Sequence, residues 1–286
     1  MKVVVAGCGY IGLATARLLH AAAWEVIGLT HSPESAASLA DEPFRVVPCD
    51  ISKRDSVREL AASSGVGPDA VLHCASSGKG GAAKYREVYF DGAANLMDEL
   101  RPGRFVFCSS TSVYGQTDGA CVTEESPATP GRETGCILRE TEDLVLQRTG
   151  TVARLAGIYG PGRSVLLRKF FSGEAVIEGD GRRSVNQIFR DDAASGLALL
   201  LTNTHRGIYN LCDNRPLPQR EIYEWLASRF DMPRPPFGPV DENRKRGVTD
   251  KCVSNAKLRG LGWTPRFPSF YDAVTSDAGM VEKART

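Results

Sequence analysis

Apolar positions in the first half of the chain follow two alternating rhythms. Val3, Val4 and Val5 form a continuous β-branched run, the pattern of a strand buried on both faces. Ile11, Leu13, Ala14, Leu18 and Leu19 then recur at helical spacing. The exchange repeats. Trp24–Leu29 and Phe44–Pro48 read as the second and third strands, followed by helices over Ser32–Ala40 and Ser52–Ala62; Ser32 and Pro33 are a helix-start signal. Asp69–Cys74, Arg104–Ser109 and Thr151–Leu155 read as the fourth to sixth strands, separated by helices over Tyr85–Leu100 and Arg132–Gln147. This alternation predicts the α/β class: a doubly wound parallel sheet with right-handed crossovers and helices on both faces.

From Ala156 onward the segments shorten and mix. Gly157–Gly162 is turn-rich. Ser184–Phe189 reads as a strand, Asp191–Leu201 as a helix, Gly207–Leu211 as a strand and Pro218–Phe230 as a helix. Residues 231–250, rich in proline and charge, read as a surface loop, with Arg244, Lys245 and Arg246 a solvated cluster. Short helices are expected near Asn255–Arg259 and after Ser269. Asp191 and Asp192 suit a helix start, where the dipole favours negative charge. The expected organisation is a sheet domain over residues 1–156, to which later segments can return, and a smaller lobe over 157–286 that closes the carboxyl ends of the strands.

The bulk numbers change this picture little. Hydrophobic residues make up 42% and charged residues 24%, and the net charge is +1, so neither nucleic acid nor an anionic membrane is expected as a partner. No apolar run approaches membrane-spanning length, and no basic-then-apolar leader opens the sequence. Eight scattered cysteines without a C-x-x-C read as reduced thiols of a cytoplasmic protein. The four histidines lack metal-ligand spacing, so no metal is expected. A G-x-S-x-G nucleophile elbow is absent.

The candidate chemistry starts at residues 7–12, where Gly7, Gly9 and Gly12 give G-x-G-x-x-G between a strand and a helix. Gly7 permits the tight turn, Gly9 leaves room for a pyrophosphate, and Gly12 lets helix and strand pack closely. Tyr10 and Ile11 open the helix, whose free N–H groups and positive dipole end suit phosphate. This predicts a nicotinamide dinucleotide. The end of the second strand reads Thr30-His31-Ser32, without the carboxylate that would hold a ribose 2′-hydroxyl, which favours NADP over NAD; alternatively these residues only cap the next helix. Asp50, beside Ile51, is placed either to meet an adenine amino group or to start the Ser52 helix. Ala75 and Ser76 follow the fourth strand, where a nicotinamide ribose would pass, with Ser77 on the substrate side. Ser77-Gly78-Lys79-Gly80 lacks P-loop spacing. His73 lies in a core strand and reads as structural.

Five segments in order, GCGYIG (7–12), FCSSTSVYG (107–115), LAGIYGPGR (155–163), VNQIFRDDAASGLALLL (185–201) and GIYNLCDNRP (207–216), resemble the extended short-chain dehydrogenase/reductase family, and more narrowly its NAD-dependent epimerase/dehydratase branch. The resemblance implies a Rossmann domain, a C-terminal substrate lobe and a nucleotide-sugar or similar hydroxyl or carbonyl substrate. It implies that Ser110, four residues before Tyr114, polarises the substrate oxygen, with Thr111 beside it. A Tyr-x-x-x-Lys should follow on the next helix, the lysine lowering a phenol pKa that is otherwise near 10. Here the Tyr-Gly alignment places Thr134 and Leu138 at those positions, and a one-residue slide places Gly135 and Arg139. Neither restores the pair. Tyr159, Arg163 and Arg190 are candidates for contacting a phosphorylated or nucleotide-linked substrate, since arginine binds phosphate oxygens bidentately. Family analogy also implies a homodimer through Tyr85–Leu100 and Arg132–Gln147. The expected function is an NAD(P)-dependent oxidoreductase; the rival is an NAD(P)-binding sensor or scaffold without turnover.

Overall fold

The computed structural model describes residues 1–64, 67–78, 80–242 and 248–285. Lys79, the Arg244–Arg246 cluster and their masked neighbours lie outside the described residues. Five strands, β1 (Lys2–Ala6), β2 (Glu25–Thr30), β3 (Arg45–Pro48), β4 (Ala70–His73) and β5 (Arg104–Ser110), join Thr151–Leu155 and Gly207–Leu211 in one sheet. All seven are parallel, in spatial order Gly207–Leu211, Thr151–Leu155, β5, β4, β1, β2, β3. Val3, Val4, Val5 and Ala6 are buried, as a central strand covered on both faces requires. The chain order reverses between β1 and β4, and the carboxyl ends of these strands frame the crevice where such sheets bind ligands.

The crossover helices are α1 (Tyr10–Ala21), α2 (Pro33–Ala37), α3 (Arg54–Ser64), α4 (Ala82–Tyr85), α5 (Gly92–Leu100) and α6 (Glu133–Gln147). Between α4 and α5, residues Arg86–Asp91 widen into a π-helical turn, so the segment expected as one helix over Tyr85–Leu100 starts earlier and carries a bulge. His73 explains part of it: its Nε2 lies 3.0 Å from the Val88 carbonyl oxygen within the widened turn. The ring is fully buried, which pushes its pKa down to about 4 and keeps it neutral. His73 is therefore a core residue, as the sequence suggests.

Two segments beyond residue 156 sit with the first half of the chain. Gly207–Leu211 is a strand of the main sheet, and the helix Arg190–Thr202 packs on α1. The remaining lobe has its own core, with Tyr159, Phe170, Ile177, Phe189, Tyr223 and Phe270 among its members. The strand expected over Ser184–Phe189 is divided. Ser184–Val185 pairs with Leu217–Pro218, whereas Gln187–Phe189 pairs with Gly157–Tyr159. Asn186 causes the break: its Nδ2 donates to the Lys251 carbonyl (2.8 Å) and its Oδ1 accepts from Val253 N (2.7 Å), which pins the residue to a third segment. Within residues 231–242, Phe237–Gly238 forms a short pairing with Ile177–Glu178.

Beneath α6 lies a buried ionic network. Glu142 accepts from Arg154 Nη2 at 2.6 Å and from Ser109 Oγ at 2.5 Å, and both ionic side chains are essentially inaccessible. The Arg154 guanidinium lies 4.7 Å from the Tyr114 ring centroid, and the Tyr114 hydroxyl donates to Asn210 Oδ1 at 2.9 Å. Tyr114 thus ties the segment that follows β5 to Gly207–Leu211. Arg139, on the same helix, pairs with Glu142 and Asp143.

Candidate functional site

The three glycines of the first loop meet three different surroundings. Gly7 has φ +103°, and a Cβ there would lie 2.4 Å from the Ala75 nitrogen. At Gly12 a Cβ would lie 2.1 Å from the Gly7 carbonyl oxygen and 2.7 Å from Cys74 Sγ. Gly9 is the opposite case: a Cβ there would have nothing within 4 Å. Two glycines are therefore needed for packing, and the third borders open space. The loop is held by hydrogen bonds from Gly7 N and Cys8 N to the Leu29 carbonyl, at 3.0 and 2.8 Å. The N-terminus of α1 has no side-chain cap and no acidic residue in its first turn, so it offers N–H donors and an unopposed dipole end. Ile11 is buried behind it. Cys8 is inert: burial, with Cys74 beside it, pushes the thiol up to about 12.

Beside this loop lies a cavity of about 230 Å³. Its walls bring together eight residues singled out in the sequence, Gly7, Thr30, His31, Asp50, Ile51, Ala75, Ser76 and Ser77, which come from the ends of four strands. Lys84, which the sequence reading missed, also lines it. Asp50 lines the cavity, and its Oδ1 accepts from Ser52 N (3.1 Å) and Ser52 Oγ (2.6 Å), two residues before α3 begins. Burial acts to raise its pKa, but the two Ser52 donors, with His31 and Lys84 nearby, outweigh it and hold the carboxyl below its ordinary value. The His31 ring is exposed, with Nδ1 3.7 Å from Asp50 Oδ1. Ser32 caps α2 by accepting from Ser35 N.

A second cavity, of about 310 Å³, is bounded by α4, α6 and the loops after β5, and closed by Val248 and Thr249. Thr134 and Leu138, the positions corresponding to the absent tyrosine and lysine, both line it. Tyr85, Ser112, Arg132 and Thr249 join them. None of these four was singled out in the sequence, because each sits in a segment that reads as packing or loop. Ser110 is buried at the end of β5, where its Oγ accepts from Ser112 N at 3.2 Å; Thr111 follows, also buried.

The lobe residues divide. Arg163 and Arg190 converge on Tyr10, their guanidinium carbons 5.2 and 5.3 Å from its ring centroid, and the Tyr10 hydroxyl donates to the Pro161 carbonyl at 3.1 Å. Both arginines thus sit against the glycine loop rather than in the wall of the second cavity. Arg190 and Tyr10 also border, with Gly9, a groove of about 880 Å³ lined by α1 and the Arg190–Thr202 helix. Tyr159 is buried in the lobe core between Phe189 and Phe270. Burial, reinforced by Asp213, Asp192 and Asp272, pushes its phenol far above the ordinary range.

A parallel sheet with a glycine loop at its switch point and an open, uncapped helix end defines a dinucleotide-binding α/β protein. More narrowly, the chain belongs to the NAD dependent epimerase/dehydratase family, whose model matches residues 3–212. It is 30% identical over 285 residues to Protein YeeZ of Escherichia coli K12, covering 93% of this chain and 96% of that one. The solved structure of an NAD-dependent epimerase/dehydratase from Methylobacillus flagellatus superposes with a TM-score of 0.79 at 28% identity, covering 100% and 99% of the two chains. A dTDP-glucose 4,6-dehydratase from Streptomyces venezuelae, solved with NAD bound, superposes with a TM-score of 0.80 at 24% identity, over 100% of this chain and 97% of that one.

Proposed function

We propose that the protein is an NAD(P)-dependent oxidoreductase of the epimerase/dehydratase type, acting on a hydroxyl or carbonyl group of a nucleotide sugar or similar small substrate. The observation that carries this reading is the open space over Gly9 at an uncapped helix end, flanked by a cavity built from Thr30, His31, Asp50 and Ala75. In this reading the first takes the pyrophosphate and the second the adenosine. NADP is the favoured dinucleotide, because Thr30, His31 and Ser32 provide hydroxyls and an imidazole where a carboxylate would repel a 2′-phosphate. When bound, the nicotinamide would accept or return a hydride. Ser110 would orient the substrate oxygen, with Thr111 and Thr134 beside it; Ser77, Arg163 and Arg190 would contact the substrate's more distant groups. A homodimer through Tyr85–Leu100 and Arg132–Gln147 belongs to the same reading, and a monomer in sedimentation would remove it.

Thr134 and Leu138 in the second cavity favour a second reading, a dinucleotide-binding sensor without turnover. A threonine hydroxyl acting on its own ionises too far from neutrality to replace an activated phenol. Incubating a panel of nucleotide sugars with the protein under both NAD and NADP, and following the sugar by NMR with nicotinamide absorbance alongside, separates the two. Conversion of a sugar, with the dinucleotide reduced or recycled, supports the enzyme; dinucleotide binding with every sugar unchanged supports the sensor.

A further inference from the structure

The second cavity lacks the family's tyrosine and lysine on α6, yet a buried amine reaches its wall from another part of the chain. Lys251 is only 5% exposed. Its Nζ donates to Thr249 Oγ1 at 2.8 Å, and Thr249 lines the cavity with Thr134, Ser112 and Tyr85. The backbone around it is fixed on both sides. The Lys251 carbonyl accepts from Asn186 Nδ2 (2.8 Å), Asp250 Oδ1 accepts from Ser184 N (2.9 Å), and Cys252 N donates to the Ala120 carbonyl (2.9 Å).

We propose that Thr249, backed by Lys251, carries the substrate hydroxyl proton in the cavity where the Tyr/Lys pair is missing. The inference rests on the oxidoreductase reading above. In the oxidative direction the substrate O–H bond breaks and its proton passes to Thr249 Oγ1. The threonine's own proton moves to the neutral Lys251 Nζ, giving an ammonium. The carbon-bound hydrogen leaves with its electron pair to the oxidised nicotinamide dinucleotide, and a C=O forms. The reverse transfers reduce a carbonyl. Thr249 is the residue that touches the substrate; Lys251 is a positioning residue that determines where the threonine's proton goes.

The surroundings favour the neutral amine that this requires. Burial is the largest influence and the Arg183 guanidinium adds to it, while Asp250 opposes; the balance brings Lys251 down to about 8. About half of the lysine is then neutral at pH 8, whereas an ordinary lysine, near 10.4, is almost fully charged there.

The test has two arms. The first follows the ε-carbon resonance of Lys251 with pH, assigned by its absence from Lys251→Arg. The second follows conversion of UDP-glucose, dTDP-glucose and UDP-glucuronic acid as probes by NMR of the sugar, with nicotinamide absorbance alongside, against pH, for wild type, Lys251→Met, Thr249→Ser and Thr249→Val. The expected results are a titration midpoint near 8, a wild-type rate that rises through the same pH, and retention of that profile by Thr249→Ser. Thr249→Val and Lys251→Met should lose about 100-fold or more in rate and lose the acid limb, while binding the dinucleotide as wild type does. If Lys251→Met does not fold, the Thr249 pair and the resonance carry the test. A midpoint near 10.4, or turnover with an unchanged acid limb in Thr249→Val, overturns this inference alone. Absence of turnover by the wild type with every probe overturns the oxidoreductase reading and this inference with it.

Discussion

Gly12 lies so close to Gly7 that a Cβ on the first would stand 2.1 Å from the carbonyl oxygen of the second. Gly9, between them, faces empty space. The motif therefore contains two kinds of glycine, and substitution separates them. Gly12→Ala is expected to destabilise the fold by about 2 kcal/mol or more, because backbone and the Cys74 side chain must give way. Gly9→Val should leave the melting temperature within about 3 °C of wild type, yet weaken dinucleotide binding by about 100-fold by filling the pyrophosphate space. Thermal unfolding and calorimetry on the two variants check both statements.

The Glu142–Arg154 pair predicts a larger stability loss. Both side chains are removed from water, and Glu142 also accepts from Ser109. Removing the Glu142 carboxylate leaves the Arg154 guanidinium buried without its counter-ion. Glu142→Gln should cost about 3–5 kcal/mol in denaturant unfolding. Replacing both residues with apolar side chains of similar volume should cost far less.

His73 makes stability depend on pH. Its folded-state pKa is lowered to about 4 by burial, against about 6.5 for an unfolded histidine. Below about pH 6.5 the unfolded chain therefore binds a proton that the folded chain does not. The contribution is fully present above pH 6.5 and is lost as pH falls toward 4, by up to about 3 kcal/mol. His73→Phe should flatten the unfolding free energy over that window, although it removes the contact with Val88 and lowers stability throughout.

Dinucleotide choice is tested at the end of β2. His31→Asp places a carboxylate where a 2′-phosphate would sit. It should lower affinity for NADPH relative to NADH by about tenfold or more, since like charges at such a distance repel by more than 1 kcal/mol. Unchanged relative affinity would remove Thr30, His31 and Ser32 from the 2′-phosphate site.

How far these features were legible in the sequence depends on whether the signal was local. Valine runs, helical spacing and glycine order are local, and they gave the sheet, the crossovers and the loop. The eight residues that gather around the first cavity were found because strand ends in a parallel sheet meet at one edge. Asn186 shows where this ends. Nothing local marks it as a break, and its bonds go to Lys251 and Val253, more than sixty residues away. Thr249 and Lys251 were hidden for the same reason, since a charged, proline-rich stretch reads as solvated surface until the fold folds its end into a wall. Tyr159 errs the other way. Its turn-rich neighbourhood suggests a site, whereas the lobe core takes the ring.

Calorimetric titration of NAD and NADP into the purified protein, with Gly9→Val alongside, tests the central claim most directly. The expected result is saturable one-to-one uptake of at least one dinucleotide by the wild type, tighter for NADP, and none by the variant at the same concentrations. Heat-silent titrations of the wild type with both dinucleotides, or equal binding by Gly9→Val, would contradict it.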